Sequence, residues 1–117
     1  MSRTMTFGRF LKEKRKKAGL SLRDMGNALC LSSAYICDIE NGKRASPSAE
    51  LQTKMVQVLG LAKEDEERLY DLAALSKREE TIPIDVCNYI TSDKDILIFL
   101  RKAKSLNTKG EDLLKML

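Results

Sequence analysis

Apolar residues along this chain return every three or four positions and seldom every second, so the pattern predicts helices throughout. Over residues 6–18, Phe7, Phe10 and Leu11 share one face, with Thr6 placed as N-cap and Gly19 as the stop. Over residues 21–30, Leu22, Met25 and Leu29 share a face, Ser21 is placed to cap, and Asp24 stands where a capping box needs its acid. Gly26 inside this second helix costs about 1 kcal/mol against Ala, which predicts a close approach by another helix. Only Cys30 and Leu31 separate it from a third helix, capped by Ser32, burying Ile36 and Ile39 and ending at Asn41-Gly42.

A fourth helix follows, with Ser46 as cap, Pro47 in its first position and Glu50 in its first turn. Leu51, Met55, Val58 and Leu59 face inward, and Gly60 ends it. The fifth, KEDEERLYDLAALS, loads acids on its positive end and turns Leu69, Leu72 and Ala73 inward, but Ala62 offers no cap. KREET, residues 77–81, reads as a charged linker. Beyond it, IPIDVCNYI starts a short helix at Pro83, SDKDILIFLRKAK is a helix capped by Ser92 or Asp93, and TKGEDLLKML places Thr108 and Glu111 at capping-box spacing. The expectation is an all-α protein, with one domain over residues 6–76 and a helical C-terminal extension over residues 82–117.

Two faces stand out on helical projection at ~100° per residue. On the third helix, Ala34, Cys37, Asp38 and Asn41 lie opposite Ile36 and Ile39, with Ser33 and Tyr35 beside them. That outward face is small, polar and neutral to acidic. On the seventh, the run ILIFL, residues 96–100, points in every direction, more than one domain can cover.

Charge adds a direction to this picture. The net +4 divides into +6 over residues 1–45, −3 over 46–80 and +1 over 81–117. The cations therefore gather in the first third, as a partner with a polyanionic backbone would require. The length of 117 residues suffices for a core without staples. No histidine is present and the cysteines number three, so a Cys/His zinc site is excluded and a thiolate site lacks its fourth ligand. No metal or cofactor is expected. Free thiols, no secretory leader pattern and no apolar run near the ~20 residues of a membrane span favour a cytoplasmic protein away from the membrane. The absence of histidine, of a paired-carboxylate constellation and of a phosphate-binding glycine loop speaks against an enzyme.

Two short helices, a tight turn and a glycine exit form the helix-turn-helix arrangement. The segment LSLRDMGNALCLSSAYICDIENGKRASPSAELQTKMVQVLGL resembles the xenobiotic-response-element family of helix-turn-helix regulators, which includes the lambda-type Cro and CI phage repressors. The resemblance spans about residues 6–75. It implies a five-helix lambda-repressor-like domain whose third helix enters the major groove of double-stranded DNA. It places Ser33, Ala34 and Asp38 where base-reading side chains sit, with Tyr35 and Cys37 beside them. It places Ser21, Leu22, Arg23 and the loop residues Asn41, Lys43 and Arg44 along phosphates. It also pairs Arg15 with Glu40.

Some readings stay open. Asp38 suits a cytosine amino group or a salt bridge to Arg23 or Arg44. Tyr35 suits the groove or packing against the second helix, and Cys37 a small filler or a redox sensor. The chain departs from the family at Leu22, where Gln is common, at Cys30, where Gly is frequent, and at Lys14, where Leu is common and whose stem is expected to snorkel outward. Gly26 stands where Ala is frequent.

The expected function is a sequence-specific transcriptional regulator, a repressor of phage or mobile-element type. It would act as a homodimer on a palindromic operator, with Tyr89, Ile90, Ile98 and Leu114 in the shared face. The alternative is an antitoxin-like or adaptor protein whose apolar extension holds a protein partner.

Overall fold

The computed structural model describes residues 5–76 and 82–117, and every element among them is a helix. In order these are α1 (Phe7–Lys17), α2 (Leu22–Leu29), α3 (Ser33–Glu40), α4 (Ala49–Leu59), α5 (Lys63–Leu75), α6 (Ile84–Ser92), α7 (Lys94–Ser105) and α8 (Gly110–Leu114). The chain parts into two compact units, Met1–Ile84 and Asp85–Leu117. The linker read over residues 77–81 lies outside the described residues. None of the described helices is long and apolar enough to cross a membrane.

Local chemistry sets most helix starts in the first unit. Thr6 Oγ1 accepts the Arg9 N–H at 3.2 Å, and Ser32 Oγ accepts the Tyr35 N–H at 3.1 Å. Ser21 and Asp24 form a reciprocal capping box, each bond 3.0 Å long. Such caps each contribute on the order of 1 kcal/mol. The fourth helix starts later than its sequence suggests. Ser48, not Ser46, caps it by accepting from the Leu51 N–H. Ser46 is taken elsewhere, since its hydroxyl donates to the Ala73 carbonyl of α5 at 2.9 Å. Pro47 therefore precedes the helix, and its carbonyl accepts from Gln52 Nε2 at 2.8 Å.

The core of this unit draws on all five of its helices. Leu11, Met25, Ile36, Met55 and Leu69 are completely buried, each worth about 1.5–3 kcal/mol in apolar area removed from water. Helix α1 packs on α3 and α5, and α4 packs on α2 and α5. The buried stripe of α4 is Gln52, Met55, Val56 and Leu59, whereas Leu51 and Val58 are half-buried. That stripe keeps strict i, i+3, i+4, i+7 spacing. Its first member reads as polar, but the bond to the Pro47 carbonyl lets the Gln52 amide nitrogen go inside. Tyr70 is also buried, with its hydroxyl 3.4 Å from Thr53 Oγ1.

Two glycines mark where backbones meet. A Cβ on Gly8 would lie 2.5 Å from the carbonyl oxygens of Ile39 and Glu40, so α1 rests directly on the end of α3. A Cβ on Gly26 would lie 2.5 Å from the Leu31 carbonyl oxygen and 3.4 Å from the Ser33 nitrogen. The neighbour predicted for Gly26 is thus mainly the turn itself, because the Leu31 N–H reaches back to the Gly26 carbonyl at 2.7 Å and folds the chain over it.

The second unit has a different character. No described residue from 82 to 117 is buried. Asp93 caps α7 by accepting from the Asp95 N–H at 2.9 Å. Helix α8 has Lys109 at its N-cap and no side-chain cap bond, so the predicted Thr108–Glu111 capping box does not form. Thr108 instead closes α7, its N–H reaching the Ala103 carbonyl at 2.9 Å, while Asn107 takes a left-handed φ of 54°.

Candidate nucleic-acid interface

Helix α2, its turn and α3 are held as one piece. The turn works because Cys30 adopts the left-handed conformation, φ 58° and ψ 41°. That conformation favours glycine and costs other residues about 1–2 kcal/mol. Ile36, Ile39 and Glu40 of α3 are buried, and Tyr35 packs against the core cluster, as the packing alternative for it expected. Ser33 and Ala34 are exposed, while Tyr35, Cys37 and Asp38 are half-buried.

At the start of α2, Ser21 and Arg23 are exposed and Leu22 is half-buried against the core. The capping box engages the Ser21 and Asp24 N–H groups. The Leu22 and Arg23 N–H groups belong to the first turn, where no intrahelical acceptor exists. They suit an anion at the positive end of the helix. The Ser21 backbone N–H and hydroxyl hold the Asp24 carboxyl below its ordinary pKa, so it carries charge there at neutral pH.

At the far end of α3, Gly42 with φ 76° turns the chain, and the Lys43 N–H donates to the Asp38 carbonyl at 2.9 Å. Asn41 Nδ2 donates to Cys37 Sγ at 3.3 Å. Lys43 and Arg44 are exposed. The Arg44 guanidinium lies over the Tyr35 ring, 4.8 Å from its centroid, and its Nε is 3.6 Å from Asp38 Oδ2. Tyr35, Asp38 and Arg44 therefore form one cluster, and Arg44 rather than Arg23 is the cation beside Asp38.

Arg15 and Glu40 meet beneath this surface. Arg15 Nε donates to Glu40 Oε2 at 2.7 Å, Nη2 to Oε1 at 3.1 Å, and Nη1 to the Leu20 carbonyl at 2.8 Å. Their side chains are only 8% and 3% exposed, so the pair has left water. The hydrogen bond to Glu40 holds the guanidinium pKa above its ordinary value, against the opposing effect of burial. The pair ties the end of α1 to the end of α3 and so fixes how α3 is presented. Lys14 does not snorkel free. Its Nζ lies 2.9 Å from Asp65 Oδ2 of α5 and 5.4 Å from the Phe10 ring centroid, because acids at the start of α5 offer it a partner.

A hollow of about 650 Å³ lies between the first turn of α1 and the loop after α3, with Arg9, Lys12, Lys43 and Arg44 in its lining. The sequence reading overlooked Arg9 and Lys12 on this side. Their i, i+3 spacing on α1 was the available signal.

Arg23 and the first-turn N–H groups of α2, and Lys43 and Arg44 after α3, thus accompany the mild outward face of α3. A family model described as a helix-turn-helix domain matches residues 6–69. No curated protein and no solved structure matches the chain.

Proposed function

The chain belongs to the helix-turn-helix domain family, and from that premise we propose a sequence-specific, double-stranded-DNA-binding transcriptional regulator of the Cro/CI-like, xenobiotic-response-element type. Its role is binding rather than catalysis. It acts in the cytoplasm as a repressor of phage or mobile-element type. Helix α3 enters the major groove with Ser33, Ala34, Tyr35 and Asp38 toward the base edges. The Leu22 and Arg23 N–H groups, the Arg23 side chain, Asn41 and Lys43 meet phosphates on either side. The carrying observation is that α3 leaves Ser33 and Ala34 exposed, with exposed Arg23 on the preceding helix and exposed Lys43 in the loop that follows α3.

Residues Tyr89, Ile90, Ile98 and Leu114 contribute to a homodimer. Two-fold symmetry sets the two recognition helices about 34 Å apart, or a multiple of it, on a palindromic operator. Selection of bound duplexes from a random pool tests the proposal. The expected result is a palindromic motif, bound with log K falling against log salt by about 0.9 per phosphate neutralised. Binding that ignores salt, or no enriched motif, would overturn it.

A second reading has its own support. Tyr89, Leu97, Ile98 and Phe99 are 49–65% exposed, so the C-terminal unit also suits an antitoxin-like or adaptor role on a foreign protein. A protein that sediments as a monomer at tens of micromolar would favour it.

A further inference from the structure

We propose that Arg44 is the guanine-reading side chain of this interface, held in place by Asp38 and Tyr35; the proposal rests on the DNA-binding reading above. The recognition helix itself, SAYICDIE, contains no Arg, Lys, Asn or Gln. Those are the side chains that grip a purine edge with two hydrogen bonds in the major groove. What α3 offers instead is hydroxyls, a methyl, a thiol and a carboxylate. A guanidinium must therefore come from outside the helix if guanine is to be read with two bonds.

Arg44 is brought back to do this. Gly42, with φ 76°, reverses the chain, and the Lys43 N–H bond to the Asp38 carbonyl holds the loop against the last turn of α3. The guanidinium then lies over the Tyr35 ring, 4.8 Å from its centroid. Its Nε is 3.6 Å from Asp38 Oδ2. Beyond Nε the guanidinium carries the Nη1 and Nη2 donors, whose fork geometry matches O6 and N7 of guanine.

Charge favours a base over a phosphate for this residue. A phosphate brought to Arg44 would also approach the Asp38 carboxylate and be repelled by it. The guanine acceptors carry only partial charge and pay a smaller cost. The family resemblance puts Arg44 among the phosphate contacts; its neighbours favour a base edge.

The test uses the full chain and duplexes carrying its selected motif. The motif should hold a fixed guanine in each half. Arg44→Met keeps an unbranched stem but loses the guanidinium. It should lower affinity for that duplex about 10- to 100-fold, the range of one lost bidentate base contact, with its melting temperature unchanged. Replacing the guanine by 7-deazaguanine, which lacks the N7 acceptor, should weaken the wild type several-fold and leave Arg44→Met nearly unaffected. Asp38→Asn should relax the preference for the same guanine. If 7-deazaguanine weakens Arg44→Met as much as the wild type, or Arg44→Met weakens every duplex by one common factor, Arg44 holds phosphate and the proposal fails. If the wild type enriches no motif at all, the DNA-binding reading itself falls first.

Discussion

The two units carry the same kind of helical pattern and meet different fates. In the first, five amphipathic helices close over Leu11, Met25, Ile36, Met55 and Leu69 until no solvent reaches them. In the second, α7 holds ILIFL, yet Ile98 is 60% exposed and Phe99 50% exposed. Periodicity identifies a helix and its apolar face, but it does not supply the surfaces that cover that face. Asp85–Leu117 is shorter than the roughly 40 residues below which a chain needs disulfides, metals or oligomerisation to be stable. The first unit buries its own apolar core, and the second leaves its large apolar residues exposed.

The comparison breaks most severely if the contacts closing the first unit are removed. Gly8→Ala drives a methyl against two backbone carbonyls at 2.5 Å, neither of which can swing aside. Glu40→Gln leaves the Arg15 guanidinium out of water without its counter-charge. Each should cost about 3 kcal/mol, read as a drop in the denaturant midpoint followed by circular dichroism. At 4–8 °C per kcal/mol for a domain of this size, melting should fall by more than about 10 °C. An unchanged midpoint for Glu40→Gln would mean that the pair contributes orientation and no stability.

The second unit should respond in the opposite sense. Ile98→Glu places a charge on a face that is already exposed, so it should leave the melting of the first unit within about 0.5 kcal/mol of the wild type. On the proposed homodimer it should abolish association in sedimentation and weaken binding to a palindromic duplex about 100-fold through lost linkage of the two half-sites. A dimer that survives Ile98→Glu and a matching change at Tyr89 would move the shared face elsewhere.

What the sequence discloses follows the same divide between local and distant contacts. The caps at Thr6, Ser21 and Ser32 depend on atoms within three residues, and the pattern is enough to find them. Ser46 misleads because its partner is Ala73, 27 residues away, so Ser48 takes the cap. Val58 is displaced by Val56 because a buried Gln52 extends the stripe, and a glutamine inside reads as polar until its acceptor at Pro47 is known. Gly8 gives no sign within α1 of the carbonyls resting on it. At the interface, Arg15 and Glu40 are joined only through the family resemblance, since no periodicity links α1 to α3. The Arg44–Tyr35–Asp38 cluster depends on a loop reversal, and the sequence leaves Arg23 and Arg44 equally open as neighbours of Asp38.

A milder change tests the turn. Cys30 holds φ 58° where glycine would be unstrained. Cys30→Gly should therefore raise the stability of the first unit by up to about 1 kcal/mol, the relief of the left-handed strain less the added entropy of the unfolded chain. The expected readout is a higher denaturant midpoint with unchanged slope. A loss of stability would show that the Cys30 side chain contributes more than its backbone costs. The oligomeric state of the chain should be unchanged.

The smallest expected effect separates local capping chemistry from packing. The Ser21 backbone N–H and hydroxyl lower the Asp24 pKa below its ordinary value, so the charged form is favoured in the folded state. A depressed folded pKa stabilises the protein above the unfolded value, about 3.9. That contribution is lost as pH falls through the folded pKa. The window therefore lies below about pH 4 and leaves neutral pH untouched. Asp24 is fully exposed, so solvent keeps the effect small. The wild type should lose stability slightly more steeply than Asp24→Asn as pH falls below about 4, with denaturant midpoints followed through α-helical signal. Parallel profiles would mean that the capping box acts through its geometry alone. Burial contributes nothing to this depression, since it acts on Asp24 in the opposite direction, so a difference confined to that window would belong to the cap and not to the core.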